Sequence, residues 1–129
     1  MTRRSITTPA APAAVGPYSQ AIAAGELVFC SGQIALDPTT GELVDGDIEA
    51  QADRVLRNLT AVLDAAGCTL ADIVKTTVFL ADIADFPTIN AVYARFMPDP
   101  PPARSTFAVA ALPKGARIEI EAIAVRHPE

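Results

Sequence analysis

Ile73-Val74-Lys75-Thr76-Thr77-Val78-Phe79-Leu80 decides the architecture. The run is rich in β-branched residues and lacks glycine or proline, as a strand requires. Alternation along it sends Val74, Val78 and Leu80 to one face and Ile73 and Phe79 to the other, so both faces of this strand demand burial.

Two flanking segments can supply cover. From Ile48 to Ala66 the apolar residues Ile48, Ala52, Val55, Leu56, Leu59, Leu63 and Ala66 recur at helical spacing, with Asp47 placed to cap the start and Gly67 just past the end. A second helix is predicted over Phe86 to Met97, capped by Asp85, with the stripe Phe86, Ile89, Tyr93, Phe96 and Met97. Asn90 falls on or beside that stripe, and the run Pro100-Pro101-Pro102 ends the helix.

Strand patterns occupy Arg4 to Thr8, Ser19 to Ile22, Leu27 to Ile34, Ser105 to Ala110 and Arg117 to Val125, punctuated by turns such as Ala24-Gly25-Glu26 and Asp37-Pro38-Thr39-Thr40-Gly41. The order strands, helix, strand, helix, strands gives an α+β domain over residues 1–129, a mixed β-sheet with two helices packed on one face. Two helices cannot cover both faces. The chain is therefore expected to pack sheet to sheet against copies of itself in a closed ring, with grooves between neighbours as natural ligand sites.

Composition removes several classes of function. With 129 residues, half of them hydrophobic, the chain can bury a core. Ten basic against fifteen acidic side chains give a net charge of −5, and no cluster of lysines or arginines offers nucleic acid a footprint. Cys30 and Cys68 lack metal-ligand or redox spacing and read as reduced thiols. Arg3 and Arg4 are followed by no apolar export segment, no stretch reaches membrane-spanning length, and a cytoplasmic protein is the default. The sole histidine, His127, belongs to the tail His127-Pro128-Glu129, so neither histidine catalysis nor a histidine metal site is indicated. Gly32 permits close backbone approach without any surrounding phosphate-loop motif.

Candidate chemistry rests on a few polar residues. Arg104 emerges from the proline run beside apolar Phe107 and Val109, where a guanidinium needs an anionic partner, either a protein carboxylate or a ligand's. Glu119 and Glu121 lie two apart on a strand and share a face with Arg117, which suits either a solvated charged face or a groove glutamate that handles a proton. Tyr18 is delivered by the turn Gly16-Pro17 and is either a structural ring or a site residue, and Asn90 is either a satisfied amide or a pocket donor. Thr106 shares the strand side of Arg104.

The segments Gly16-Pro17-Tyr18-Ser19-Gln20-Ala21, Ser31-Gly32-Gln33, Ile73 to Phe79, Pro102-Ala103-Arg104-Ser105 and Ile118-Glu119-Ile120-Glu121-Ala122 resemble, in order and over nearly the whole chain, the RidA/YjgF family of reactive-intermediate deaminases. The resemblance implies a chorismate-mutase-like homotrimer with an inner barrel of sheets, outer helices and active sites at subunit interfaces. It implies cofactor-independent hydrolysis of 2-imino acids or enamines, such as 2-iminobutyrate and 2-iminopropionate, to 2-oxo acids and ammonia. Arg104 would bind the substrate carboxylate and Glu119 would activate water, with Tyr18 and Asn90 lining the pocket, the Ser31-Gly32 backbone near the imine and Thr106 as a further contact. Threonine at 106 stands where imine-hydrolysing members often carry cysteine, and the segment from Met97 to Pro101 is shorter and richer in proline than in the family pattern.

Two other readings remain open. A trimeric module could hold small carboxylates at the same groove without turnover, and an endoribonuclease activity is attributed to some relatives. The acidic balance and the absence of basic stripes speak against the second.

Overall fold

Eight main elements form: β1 (Arg3–Ile6), β2 (Ala21–Ala24), β3 (Leu27–Gln33), α1 (Ile48–Ala65), β4 (Ile73–Leu80), α2 (Phe86–Phe96), β5 (Ala103–Ala108) and β6 (Ile118–Val125). The computed structural model describes residues 2–127; of the expected tail, Pro128 and Glu129 lie outside the described residues. The strands make one six-stranded sheet in the order β1-β2-β3-β6-β4-β5. Only β4 and β5 pair in parallel, as the helical crossover α2 between them requires, and the other pairs are antiparallel. The sheet is therefore mixed, as expected.

The predicted stripe of α1 is buried throughout, with Val55, Leu59, Val62 and Leu63 inaccessible to solvent against β3, β6 and α2. Asp47 accepts a hydrogen bond from the Ala50 amide at 3.0 Å, which stabilises the helix start by about 1 kcal/mol. Two polar residues on the buried side tie α1 to the loops: Asn58 donates to the Ile34 and Leu36 carbonyls, and Gln51 accepts from the Arg117 amide.

Three expectations need correction. A pairing irregularity falls at Val74, since Ile73 pairs with Ala124 and Lys75 with the adjacent Ile123. The extra residue reverses the faces at that end of β4, so Ile73 is buried with the core and Val74 is exposed. Asp85 makes no capping bond; both its carboxylate oxygens accept from the Arg117 guanidinium, at 3.1 and 3.2 Å. Arg117 is thus held at the start of α2 and forms no charged row with Glu119 and Glu121.

Helices cover one face of the sheet. The other carries Ile22, Leu27, Phe29, Phe79, Phe107 and Ile123, of which Phe29 is 42% and Phe107 52% exposed. Cross-strand register joins Phe29 to Ile22 and Ile123, and Phe79 to Phe107, so these side chains form continuous rows on the uncovered side.

Candidate functional site

The alternation of β6 sends Ile118 and Ile120 into the core, which leaves Glu119 and Glu121 on the open face. Opposite them β3 bulges. Cys30 pairs with Ala122 and Gln33 with Ile120, so Ser31 and Gly32 together face the single residue Glu121. The bulge brings the Gly32 backbone against Glu119: a Cβ added at Gly32 would overlap Glu119 Oε2 and come within 2.7 Å of its carboxyl carbon. Only glycine leaves room for the carboxyl group as it stands.

Around this contact lies a groove of about 600 Å³ lined by Tyr18, Ser31, Gly32, Glu119 and Glu121, with Lys114 at its edge. Burial raises the proton affinity of the Glu119 carboxyl above the ordinary glutamate value, and the negative charge of Glu121 raises it further. Ser31 is fixed by its own bonds: its hydroxyl donates to the Ser19 carbonyl at 2.6 Å and its amide to the Gln20 carbonyl at 3.0 Å. Tyr18 is exposed beside the groove after Gly16, whose φ of +114° suits glycine, and its hydroxyl accepts weakly from the Val15 amide at 3.4 Å.

One wall of the groove comes from the segment around Pro12, and sequence reasoning did not single out the residue that holds it. Buried Gln20 accepts from the Thr8 amide at 2.7 Å and donates to the Thr8 and Pro12 carbonyls at 3.1 and 2.7 Å. Its signal was available as an amide next to a strand of small apolar residues, where an unbonded amide would be costly.

Arg104 stands elsewhere. It pairs in register with Thr76, whose hydroxyl shares a 2.6 Å hydrogen bond with the Tyr93 hydroxyl of α2, so both residues lie on the helix side of the sheet. No carboxylate among the described residues lies within ion-pair distance of its guanidinium. The group lies instead over two aromatic rings, 4.8 Å from the Tyr93 centroid and 5.4 Å from that of Phe86. Of the two partners expected for Arg104, the protein carboxylate is absent among the described residues, and aromatic faces stand in its place.

Arg104 shares a cavity of about 610 Å³ with Asn90, Tyr93, Met97, Asp99 and Pro102. Asn90 Oδ1 is buried without a hydrogen-bond partner among the described residues. The same holds for Oγ1 of Thr106, which follows Arg104 on the same side of β5.

Within one chain, then, Tyr18, Ser31, Gly32 and Glu119 gather in one groove, and Arg104 and Asn90 in another, with Thr106 beside the second. Glu119 pairs with Phe79 on the open face while Arg104 pairs with Thr76 on the helix face, so the two charged groups project from opposite faces. A glutamate with a raised proton affinity and an arginine without a carboxylate partner among the described residues are both present, but a single chain does not join them.

The remaining titratable candidates do not enter either group. Cys30 and Cys68 are free and buried, and burial pushes the Cys30 thiol up to about 12, which keeps it protonated near neutral pH. His127 is exposed and 3.2 Å from Asp72. Among the described residues no helix is long and apolar enough to cross a membrane.

The family model described as Endoribonuclease L-PSP matches residues 8–126. The chain is 50% identical over 126 residues to the human 2-iminobutanoate/2-iminopropanoate deaminase, covering 98% of this chain and 92% of that one. Its fold is similar to the crystal structure of RidA from the Antarctic bacterium Psychrobacter sp., with a TM-score of 0.91 at 48% identity over 95% of this chain and 98% of that one. It is equally similar to the crystal structure of TdcF from E. coli with bound serine, with a TM-score of 0.90 at 48% identity, covering 96% and 99% of the two chains.

Proposed function

Because the chain belongs to the endoribonuclease L-PSP family and, within it, to the RidA imine deaminases, we propose that it hydrolyses small 2-imino acids and their enamine tautomers to 2-oxo acids and ammonia. Substrates of the size of 2-iminobutanoate and 2-iminopropanoate fit the reading, as the name of the human relative suggests. Arg104 takes the substrate carboxylate in two parallel bonds and so fixes its orientation. Glu119, ionised, accepts a proton from the water that attacks the imine carbon. The C=N bond becomes a single bond, and the proton passes to nitrogen. The hydroxyl proton of the resulting carbinolamine passes through Glu119 to the amine nitrogen, the C–N bond breaks, ammonia leaves and the carbonyl forms. An imine is already electrophilic, so positioning one water and one carboxylate suffices without a cofactor.

The observation that carries this reading is the Glu119 carboxyl seated on Gly32 in the groove, with its proton affinity raised by burial. Such a group accepts and returns a proton more readily than an ordinary surface glutamate does. Tyr18 and the Ser31-Gly32 backbone line the imine end, and Asn90 and Thr106 flank the carboxylate end.

The two ends meet when chains assemble. A homotrimer closed through the apolar open faces, with the sheets as an inner chorismate-mutase-like barrel, would bury Phe29 and Phe107 and set the Glu119 groove of one subunit against the Arg104 cavity of the next. Serine in the TdcF structure is a ligand of the same size and carries the same carboxylate.

The test generates 2-iminobutanoate in place with an amino-acid oxidase and times its disappearance. Wild-type protein is expected to accelerate the loss, and Glu119→Ala to lower that rate at least tenfold while 2-oxobutanoate binding persists. Unchanged hydrolysis by Glu119→Ala would remove Glu119 as the base, and no acceleration by the wild type would leave only a carboxylate-binding module. RNA incubated with the same preparations is expected to stay intact.

A further inference from the structure

We propose that Tyr93 and Phe86 are positioning residues for Arg104, holding its guanidinium by their ring faces so that its hydrogen-bonding edge stays free for an incoming carboxylate. The inference rests on Arg104 being the carboxylate-binding group of the preceding section.

A guanidinium half-buried among apolar residues is ordinarily neutralised by a protein carboxylate. Such a partner would occupy the two donors a substrate acid needs, and the substrate would have to displace it. Aromatic faces solve both problems at once. They attract the cation through the plane of the group and leave the in-plane N–H donors unused. Arg104 has this arrangement, with ring centroids at 4.8 and 5.4 Å and no carboxylate of the described residues within ion-pair reach.

The platform is itself fixed. Tyr93 is buried, and its hydroxyl is held at 2.6 Å by the hydroxyl of Thr76, which is wholly inaccessible to solvent. Thr76 is also the register partner of Arg104 across β4 and β5, so the strand pair positions the cation and the ring together. Phe86 opens α2 next to Asp85, whose carboxylate is committed to Arg117 at 3.1 Å and is not offered to Arg104. Among the described residues the one acid lining the Arg104 cavity is Asp99, in the exposed segment after α2. It offers the guanidinium a carboxylate within the same cavity if the rings are removed.

The experiment compares wild type with Phe86→Leu, Tyr93→Leu and the conservative Tyr93→Phe. Ligands are 2-oxobutanoate and its neutral amide, 2-oxobutanamide, and binding is measured by calorimetry beside steady-state hydrolysis of 2-iminobutanoate. Phe86→Leu is expected to weaken 2-oxobutanoate binding and raise KM about tenfold with kcat nearly unchanged, as for the loss of one cation–π contact. Binding of the amide should change little, and Tyr93→Phe should lose far less than Tyr93→Leu. Equal losses for acid and amide would mean that the rings only pack, and would overturn the proposal.

A crystal structure of Phe86→Leu gives a readout independent of turnover. Displacement of the guanidinium toward Asp99 supports the proposal, and an unmoved Arg104 contradicts it even if the imine reaction is absent. Failure of the wild type to bind either ligand would instead count against the carboxylate role of Arg104.

Discussion

Replacing Gly32 by alanine separates the chemistry of the groove from the stability of the fold. The new methyl group would overlap Glu119 Oε2 and lie within 2.7 Å of Cδ and 2.9 Å of Cγ, so the glutamate must turn away. Its side chain is flexible, and leaving a good rotamer costs about 1 kcal/mol. Gly32 does not occupy the left-handed backbone region, so alanine introduces no backbone strain and stiffens the unfolded chain, which returns about 0.4–1 kcal/mol. The two effects nearly cancel, and the melting temperature is expected to move by no more than about 4 °C. Catalysis has no such compensation. A carboxylate displaced by about 1 Å or more from its working position loses on the order of 100-fold in rate. Thermal unfolding and 2-iminobutanoate hydrolysis measured on one preparation check both halves. Normal kcat/KM in Gly32→Ala would refute the assignment of Glu119 as the base, and a loss of several kcal/mol in stability would refute the packing argument.

Other predictions follow from the same geometry. Glu121 raises the proton affinity of Glu119, so Glu121→Gln should shift the acid limb of the kcat/KM profile to lower pH; a limb that stays in place would show that Glu119 does not set it. Because the folded protein holds the Glu119 proton more tightly than the unfolded chain does, this group makes the fold less stable as pH rises through the range above the unfolded glutamate value. Glu119→Gln should therefore be more stable than wild type at neutral pH, with the gain vanishing below that range, as read by denaturant titration at each pH. Wild-type protein is expected to sediment as a trimer, and Phe29→Glu and Phe107→Glu, which place charge on the open sheet face, as monomers with far-ultraviolet circular dichroism intact. Asp47→Ala should cost about 1 kcal/mol in urea unfolding without affecting activity, since it removes only the cap of α1.

Much of the fold was legible because local rules agreed with the global answer. The period of α1, its aspartate cap and the β-branched run of β4 each reported their own environment. The discrepancies arose where pairing between distant strands decides. The irregularity at Val74 reverses two side chains through the register of β4 on β6, and the bulge at Ser31–Gly32 depends on β3 meeting β6; neither is encoded by a nearby turn residue. The strand expected from Ser19 to Ile22 settles two residues later for the same reason, because β1 and β3 choose its register.

The site was partly legible in the same sense. Polar residues in apolar surroundings drew attention to Arg104, Glu119 and Asn90, and each lines a cavity. Sequence alone could not show that Arg104 and Glu119 project from opposite faces of one sheet, since that depends on the order of strands across it. Nor could it show the partners of Arg104. Phe86 and Tyr93 read as an ordinary helix stripe, and only the β4–α2–β5 crossover brings their ring faces to the guanidinium.

Subunit complementation tests the central claim most directly. Arg104→Ala and Glu119→Ala are purified separately, mixed in equal amounts, dissociated and reassembled, and assayed for 2-iminobutanoate hydrolysis. If each site takes its guanidinium from one subunit and its carboxylate from the next, random reassembly restores about a quarter of the wild-type sites from two nearly inactive parents. If both groups act from the same chain, or if neither serves the reaction, the mixture stays as inactive as its components.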